Sequence, residues 1–187
     1  MTIVIILLVV VALWGVMQYN ALVGLRNNVQ NAFRQIDVQL KRRHDLIPNL
    51  VNSVKGEMKF EQDTLEKVMK ARAAAVSASQ AANVADMSKA EGVLGQALGR
   101  LLAVVENYPN LKASEAVGKL MEELTHTENQ VGFSRQLYND LVTKFNTKQQ
   151  VVPTNIIAQI GGFTPAELFE IPQEKAGERE APAVNLQ

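Results

Sequence analysis

The first pattern in the chain is an unbroken apolar run over residues 3–17, and no charged residue occurs before Arg26. A helix that spans a bilayer needs about 20 mostly apolar residues. The run alone is shorter than that, but apolar residues at positions 19–25 extend it. The pattern therefore predicts a transmembrane anchor over residues 1–25.

A cleaved signal sequence is the alternative interpretation of the same run. Such a signal begins with a basic region and ends in a small-residue cleavage site. Only Met1 and Thr2 precede the run, and no Ala-x-Ala pattern follows it, so a retained anchor is favoured. Because the nearest basic residues, Arg26 and Arg34, follow the span, the positive-inside rule favours an N-terminus outside and a cytoplasmic domain.

A second apolar stripe begins inside the anchor and continues well beyond it. Its members are three or four residues apart, as on one face of a helix. They are Leu22, Leu25, Val29, Phe33, Ile36 and Leu40, followed by Ile47, Leu50, Val51, Val54 and Met58. Two interpretations of Pro48 stay open: Asp45 caps a new helix with Pro48 in its first turn, or one long helix kinks at Pro48. The second is favoured, because Leu40 and Ile47 are one heptad apart.

Helix is predicted to continue over Phe60–Ser79, and two further helices follow it. They are Glu91–Glu106, with Asp86 or Ser88 as a possible cap, and a long segment that opens at Ser114 and ends before Pro153. The predicted fold is an all-α, antiparallel up-and-down bundle of three long helices, or four if Pro48 divides the first. The expected domains are the anchor (1–25), the bundle (26–170) and a polar, disordered tail (171–187).

Composition removes several classes of function. The chain has no cysteine, so it has neither a disulfide nor a thiolate site. Its 19 basic and 19 acidic residues cancel, which argues against a nucleic-acid-binding protein that relies on bulk charge. No nucleophile with its base and no phosphate-binding loop is recognisable, so we expect no catalytic residue and no cofactor.

The stripe around Pro48 is the candidate interaction surface. Its residues are Ile36, Asp37, Leu40, Lys41, Arg42, Arg43, Asp45, Pro48 and Asn49. Among them, Asp37, Asp45 and Asn49 are candidates for buried polar links between helices. The basic cluster 41–43 either contacts anionic lipid or pairs with Glu122, Glu123 or Glu128 on a neighbouring helix. The second interpretation is favoured, because exposed charge runs are usually solvated or paired.

Two weaker signals remain. Gly92, Gly95 and Gly99 lower helix propensity and would allow close approach of another helix, so they are candidate packing positions. Glu123 and His126 form one Glu-x-x-His pair, of the kind used in pairs by di-iron bundles. Since no second pair exists, no metal site is predicted.

Several segments resemble the LemA family. They are YNALVGLRNNVQNAF (19–33), IDVQLKRRHDLIPNLVNSVKG (36–56), FEQDTLEKVMKARA (60–73), LLAVVENYP (101–109), ENQVGFSRQLYNDLVTKFNT (128–147) and IIAQIGGF (156–163). Together they cover nearly all of residues 19–169. One departure is Phe33, where the family would have tryptophan; an aromatic residue is kept.

The resemblance implies a membrane-anchored antiparallel bundle without established enzymatic activity, in a bacterial inner membrane. It also implies M48-type membrane metalloproteases as possible partners, and a related branch in magnetosome membrane biogenesis. We therefore expect a single-pass, non-catalytic scaffold or adaptor that binds proteins through its helix faces or assembles with itself at the bilayer. The alternatives are a homo-oligomer that remodels membranes and, more remotely, a ferritin-like metal enzyme.

Overall fold

The structure, a computed structural model, describes residues 1–58, 60–81 and 83–170 of the chain. In those residues it contains six helices and no strand. The helices are α1 (Thr2–Val54), α2 (Gln62–Gln80), α3 (Val84–Val105), α4 (Pro109–Ala113), α5 (Glu115–Gln150) and α6 (Thr154–Ile160). The expected tail, residues 171–187, lies outside the described residues.

The helix α1 is a single element of 53 residues that includes both the apolar run and the stripe. It continues through Pro48 and has no break near residue 25, so no new helix begins at Pro48 and the favoured continuity across the proline is confirmed. The division comes later, between Val54 and Gln62. Four long helices result, with the break seven residues beyond the proline rather than at it.

Contacts between distant residues show that α1 runs antiparallel to both α2 and α5. Between α1 and α5, Arg42 pairs with Glu123 and the Phe33 ring packs 5.8 Å from that of Tyr138. The numbers rise along one helix as they fall along the other, so the two helices are antiparallel. The predicted all-α bundle is therefore confirmed.

The residue that caps α3 differs from the two caps expected from the sequence. The side chain of Asn83 accepts a hydrogen bond from the backbone N–H of Asp86 and caps α3. The predicted caps, Asp86 and Ser88, instead lie in the first turns of that helix. At the start of α5, Ser114 occupies the cap position without a side-chain cap hydrogen bond.

The buried apolar residues form two separate cores along the bundle. The first core contains α1 residues from Leu22 to Leu40 and α5 residues from Val131 to Phe145. The second core contains α1 residues from Ile47 to Val54, together with residues of α2, α3 and the start of α5. Each long helix that belongs to both cores must cross the level between them.

The chain returns along α5 after α6. We call residues 163–170 the strap, because they lie along α5 and α3 without forming a helix. The turn into the strap uses Gly162, whose φ of 66° is in the left-handed region that glycine adopts readily.

Candidate functional site

A layer of polar side chains lies at the level between the two cores. We call Arg43, His44, Arg72, Glu91 and Glu128 the polar layer. Four helices contribute to it: α1 gives the first two residues, and α2, α3 and α5 give one each. Arg43 and Glu91 are each only 2% exposed, so two opposite charges are enclosed in the bundle.

Glu91 is the centre of the polar layer. Its Oε2 accepts a hydrogen bond from Nη1 of Arg43 at 3.1 Å, and its Oε1 lies 2.6 Å from Nε2 of His44. A carboxylate has only acceptors, so His44 donates through Nε2. Both carboxylate oxygens therefore have a partner, as a buried charge requires.

Arg43 joins three helices. Besides Glu91, its Nη2 reaches Oε2 of Glu128 on α5 at 2.8 Å, while its buried Nε has no partner. Nearby, Nε of Arg72 donates to the backbone carbonyl of His44 at 2.6 Å. A register in which one helix slides along another would leave a buried charge unpaired, which costs several kcal/mol. The polar layer thus favours one alignment of the helices.

The neighbouring Arg135 extends this electrostatic environment along α5. Burial lowers the pKa of its guanidinium, the negative charge of Glu128 opposes that shift, and the positive charge of Arg43 adds to it. Its guanidinium also lies 5.6 Å from the centre of the Phe169 ring. Arg135 therefore connects the polar layer to the strap.

Some residues of the predicted interaction surface are buried in the core, and the others are exposed to solvent. Ile36, Leu40 and Arg43 are buried, so these three cannot contact a partner in the folded bundle. Asp37, Lys41, Arg42, Asp45 and Asn49 are exposed, and Pro48 is half-buried. A binding role for the exposed members stays a prediction.

The expected polar links were assigned to the wrong residues. Asp37 is exposed and accepts a hydrogen bond from Ser79 Oγ at 3.0 Å, and Asp45 and Asn49 are also exposed. The buried links are instead Arg43 and His44. Two residues of the basic cluster form ion pairs within the bundle, as the favoured interpretation expected. Arg42 contacts Glu123 at 2.5 Å, and Arg43 contacts Glu128 at 2.8 Å.

Gly95 and Gly99 of α3 do not bring the backbone of another helix into contact. A Cβ added to Gly95 would lie 3.4 Å from Nη2 of Arg43, and one added to Gly99 would have no neighbour within 4 Å. Gly92 is half-buried. Gly95 and Gly99 line a surface hollow of about 300 Å³ between α3 and α5, which reaches Arg43; we call it the glycine hollow.

A larger groove lies between α2 and α3. This α2–α3 groove has a volume of about 420 Å³. Its lining combines alanines with a basic rim and one exposed apolar side chain: Ala71, Ala74, Ala97, Lys67, Lys70, Arg100 and Val93. Of the rim residues, Lys67 pairs with Asp63. Sequence reasoning did not identify this groove.

The possible metal ligands are dispersed in the described part of the chain. No group of three or more His, Cys, Asp or Glu side chains that could hold a metal ion occurs there. Of the Glu-x-x-His pair, His126 is exposed and Glu123 pairs with Arg42.

Glu91 was the principal site residue that was not predicted from the sequence, although the heptad pattern of α3 contains a signal for its burial. The apolar heptad positions of α3 are Val84, Met87, Leu94, Leu98, Leu101 and Val105, and Glu91 occupies the one position in that series that is charged. A charged residue at a core heptad position indicates a buried polar contact. The same break occurs in α1, where Arg43 and His44 separate Leu40 from Ile47.

The fold and the site define a helical bundle that is aligned by a buried polar layer and extended by an apolar helix long enough to cross a membrane. The chain belongs to the LemA family, whose model matches residues 32–186. It is 27% identical to the magnetosome proteins MamQ 1 and MamQ 2 of Paramagnetospirillum magneticum over 82% of its length. It is 30% identical to the protein LemA of Metamycoplasma hominis over 75% of its length. The matches span 65% and 63% of those relatives' own lengths.

Proposed function

We propose that this protein is a membrane-anchored, non-catalytic scaffold that presents a helix-lined surface to another membrane protein. The observation that carries the proposal is the continuity of α1. Apart from the half-buried Trp14, its large apolar side chains are exposed through Met17, whereas Leu22, only five residues later, is fully buried in the first core. One unbroken helix thus connects a segment suited to lipid with the core of the bundle, so the anchor and the bundle move together.

The same continuity supports a spacer role. At 1.5 Å per residue, the polar layer at Arg43 lies roughly 39 Å along α1 from Met17. The α2–α3 groove packs beside the part of α1 beyond that layer, so it is held clear of the bilayer surface. Because its rim is basic and its floor is small and apolar, it suits an amphipathic helix with acidic residues. An M48-type membrane metalloprotease is one candidate owner of such a helix.

Site-directed cross-linking tests the scaffold proposal. A photo-reactive residue at Val93 or Gln96, in full-length protein within native membranes, should form one defined adduct with a single membrane protein, identified by mass spectrometry. The double variant Lys70→Glu/Arg100→Glu should abolish that adduct. Lys112→Glu/Lys144→Glu is the matched control, because it reverses two exposed basic residues of α4 and α5 that do not line the groove and should leave the adduct intact.

Either of two results would contradict the proposal. One is the absence of any defined adduct from the groove, and the other is an adduct that both double variants weaken equally. Because Lys70 and Arg100 are exposed, their reversal should leave the fold intact, which circular dichroism of the purified variant verifies.

The orientation that we propose has the bundle in the cytoplasm of a bacterial cell with a single-pass inner membrane anchor. The basic residues Arg26 and Arg34 after the apolar run support it. Protease added to intact spheroplasts should leave the bundle uncut, and disruption of the membrane should expose it. Cleavage of the bundle in intact spheroplasts would show the opposite orientation, with the bundle outside the cytoplasm.

A second candidate is a homo-oligomer that remodels membranes. The glycine hollow supports it, because small residues on an exposed helix face allow a second copy to approach closely. The similarity to magnetosome proteins also supports it. Light scattering of the protein in mild detergent should then show a defined oligomer that Gly99→Leu dissociates, and purified protein should deform liposomes. A monomer together with unchanged vesicles would exclude this candidate.

A further inference from the structure

A second uncharged stretch of the chain meets the apolar end of α1. No Asp, Glu, Lys or Arg occurs between Lys148 and Glu167, just as none precedes Arg26. The helix α6 lies within that stretch and contacts α1. A Cβ added to Gly15 would lie 3.6 Å from Cδ1 of Ile157. Thus α6 packs at the level of Gly15, inside the apolar run itself.

The outer face of α6 and Val152, two residues before the helix, expose large apolar side chains. Ile160 is 81% exposed, Val152 is 79% exposed and Ile156 is 55% exposed. The opposite face buries Thr154 and Ala158 against the bundle. Because Ile157 lies beside Gly15, this exposed face is next to the exposed apolar side chains of α1, and apolar surface of this kind marks an interaction site.

The depth of α6 follows from the length of a membrane span. A hydrocarbon core of about 30 Å needs about 20 helical residues, which places the second boundary near Ala21 if the first is at Thr2. Gly15 would then lie about six residues, or roughly 9 Å, inside that boundary. A tilted helix has a smaller rise along the membrane normal, so tilt would place Gly15 deeper still. At this depth, the exposed isoleucines of α6 face lipid rather than water.

Aromatic and basic side chains meet just beyond the end of α6 and the end of the apolar run. The rings of Tyr19 and Phe163 pack edge to face with centroids 5.6 Å apart, and the guanidinium of Arg26 lies 5.3 Å from the Phe163 ring centre. Aromatic rings and long basic side chains concentrate at the headgroup level of membrane proteins. Their position here agrees with a boundary just beyond residue 19.

We infer that residues 151–160, which include α6, are a second lipid-contacting element that lies in the membrane interface beside the anchor. An amphipathic helix of this type inserts its apolar face about 5–10 Å into the boundary between headgroups and acyl chains. The inference rests on the proposed anchoring by α1 and adds a contact that the anchor alone does not provide. With two points of attachment, the bundle has a defined rotation and height above the bilayer.

Single-cysteine labelling tests the inference, because the natural chain has no cysteine. Four full-length variants would carry an environment-sensitive nitrobenzoxadiazole label: Ile156→Cys, Ile160→Cys, Leu8→Cys in the apolar run and Phe133→Cys. Phe133 is the matched control, because it is also exposed and apolar but lies on α5. Each variant is reconstituted in phosphatidylcholine–phosphatidylglycerol vesicles, with and without nitroxide-labelled lipid.

The labels at Ile156 and Ile160 should show a blue-shifted emission and lose fluorescence to the nitroxide lipid nearly as strongly as the label at Leu8. The label at Phe133 should show neither effect. If the Leu8 label is quenched while the α6 labels behave like that at Phe133, the anchor is inserted and the inference is wrong. If the Leu8 label is not quenched either, the proposed anchoring itself fails, so the two failures are distinguishable.

Discussion

The side-chain amide of Asn139 forms two hydrogen bonds with the backbone of Phe169. Its Nδ2 donates to the carbonyl of Phe169 at 3.2 Å, and its Oδ1 accepts from the N–H of the same residue at 2.9 Å. Two turns further along α5, Asn146 makes the same pair of hydrogen bonds with Ala166, both at 2.9 Å. Seven helical residues rise about 10.5 Å, and three extended residues cover about 10 Å. The spacing of the two asparagines therefore matches the repeat of the strap.

These paired amides predict how the strap is released. Asn139→Ala and Asn146→Ala should each lower the free energy of unfolding by about 1–3 kcal/mol, since each leaves a backbone N–H and carbonyl without a partner. Hydrogen exchange should accelerate at Ala166 and Phe169 more than elsewhere. Asn129→Ala, on an exposed position of the same helix, is the control. Unchanged exchange at the strap would show that Phe169 burial alone holds it.

The polar layer predicts a marked difference between single and double variants. Arg43→Met should destabilise the bundle by about 3–5 kcal/mol, because the charge of Glu91 stays buried without the guanidinium that balances it and keeps only its contact with His44. The double variant Arg43→Met/Glu91→Leu should recover most of that loss, since no buried charge remains. Denaturant unfolding in mild detergent, followed by circular dichroism, measures both.

The exposed pair beside the layer provides the control for that experiment. Arg42→Met removes the contact with Glu123, in which both side chains are about half exposed, and should cost no more than about 1 kcal/mol. If Arg43→Met were as mild as Arg42→Met, the polar layer would not be responsible for aligning the helices.

Substitution of glycine by alanine should have opposite effects on stability at Gly161 and at Gly99. Gly161→Ala should destabilise the turn before the strap, because its Cβ would lie 2.6 Å from the Phe163 ring. Gly99→Ala should be neutral or stabilising by up to about 1 kcal/mol, since alanine is the better helix former and nothing lies within 4 Å of its Cβ. Thermal unfolding of the two variants measures the difference. Equal effects would contradict the close contact at Gly161.

Tyr138 predicts a pH-dependent stability. Burial raises the pKa of its phenol, and the negative charge of Glu167 raises it further. The folded state therefore favours the protonated phenol, which donates to the carbonyl of Glu167 at 2.8 Å. Its contribution is complete below the unfolded pKa of about 10 and is lost as the pH rises through the folded value.

Tyr138→Phe isolates that contribution. At neutral pH it should cost about 1 kcal/mol for the lost hydrogen bond, and the difference from wild type should shrink above about pH 10. Unfolding curves of both proteins between neutral pH and pH 11 would measure it. A constant difference across that range would show that Tyr138 does not titrate with folding.

Much of the fold could be predicted from local pattern. The three- and four-residue spacing from Leu22 to Met58 indicated a long helix, and the heptad between Leu40 and Ile47 correctly favoured its continuation through Pro48. The break that follows Val54 was harder to see, because Phe60 and Leu65 continue the apolar composition without a proline to mark the change.

The chain by itself determined which segments are helical, which faces are apolar and where an anchor is expected, because hydrophobic periodicity and helix-ending residues act over a few neighbouring positions. Only the tertiary structure decided that Arg43 pairs with Glu91, 48 residues away, that Asn139 and Asn146 hold the strap, and that α6 packs beside Gly15. These contacts join residues from different helices, and the same side chains would suit several partners. The choice among those partners is made when the helices pack in a single register.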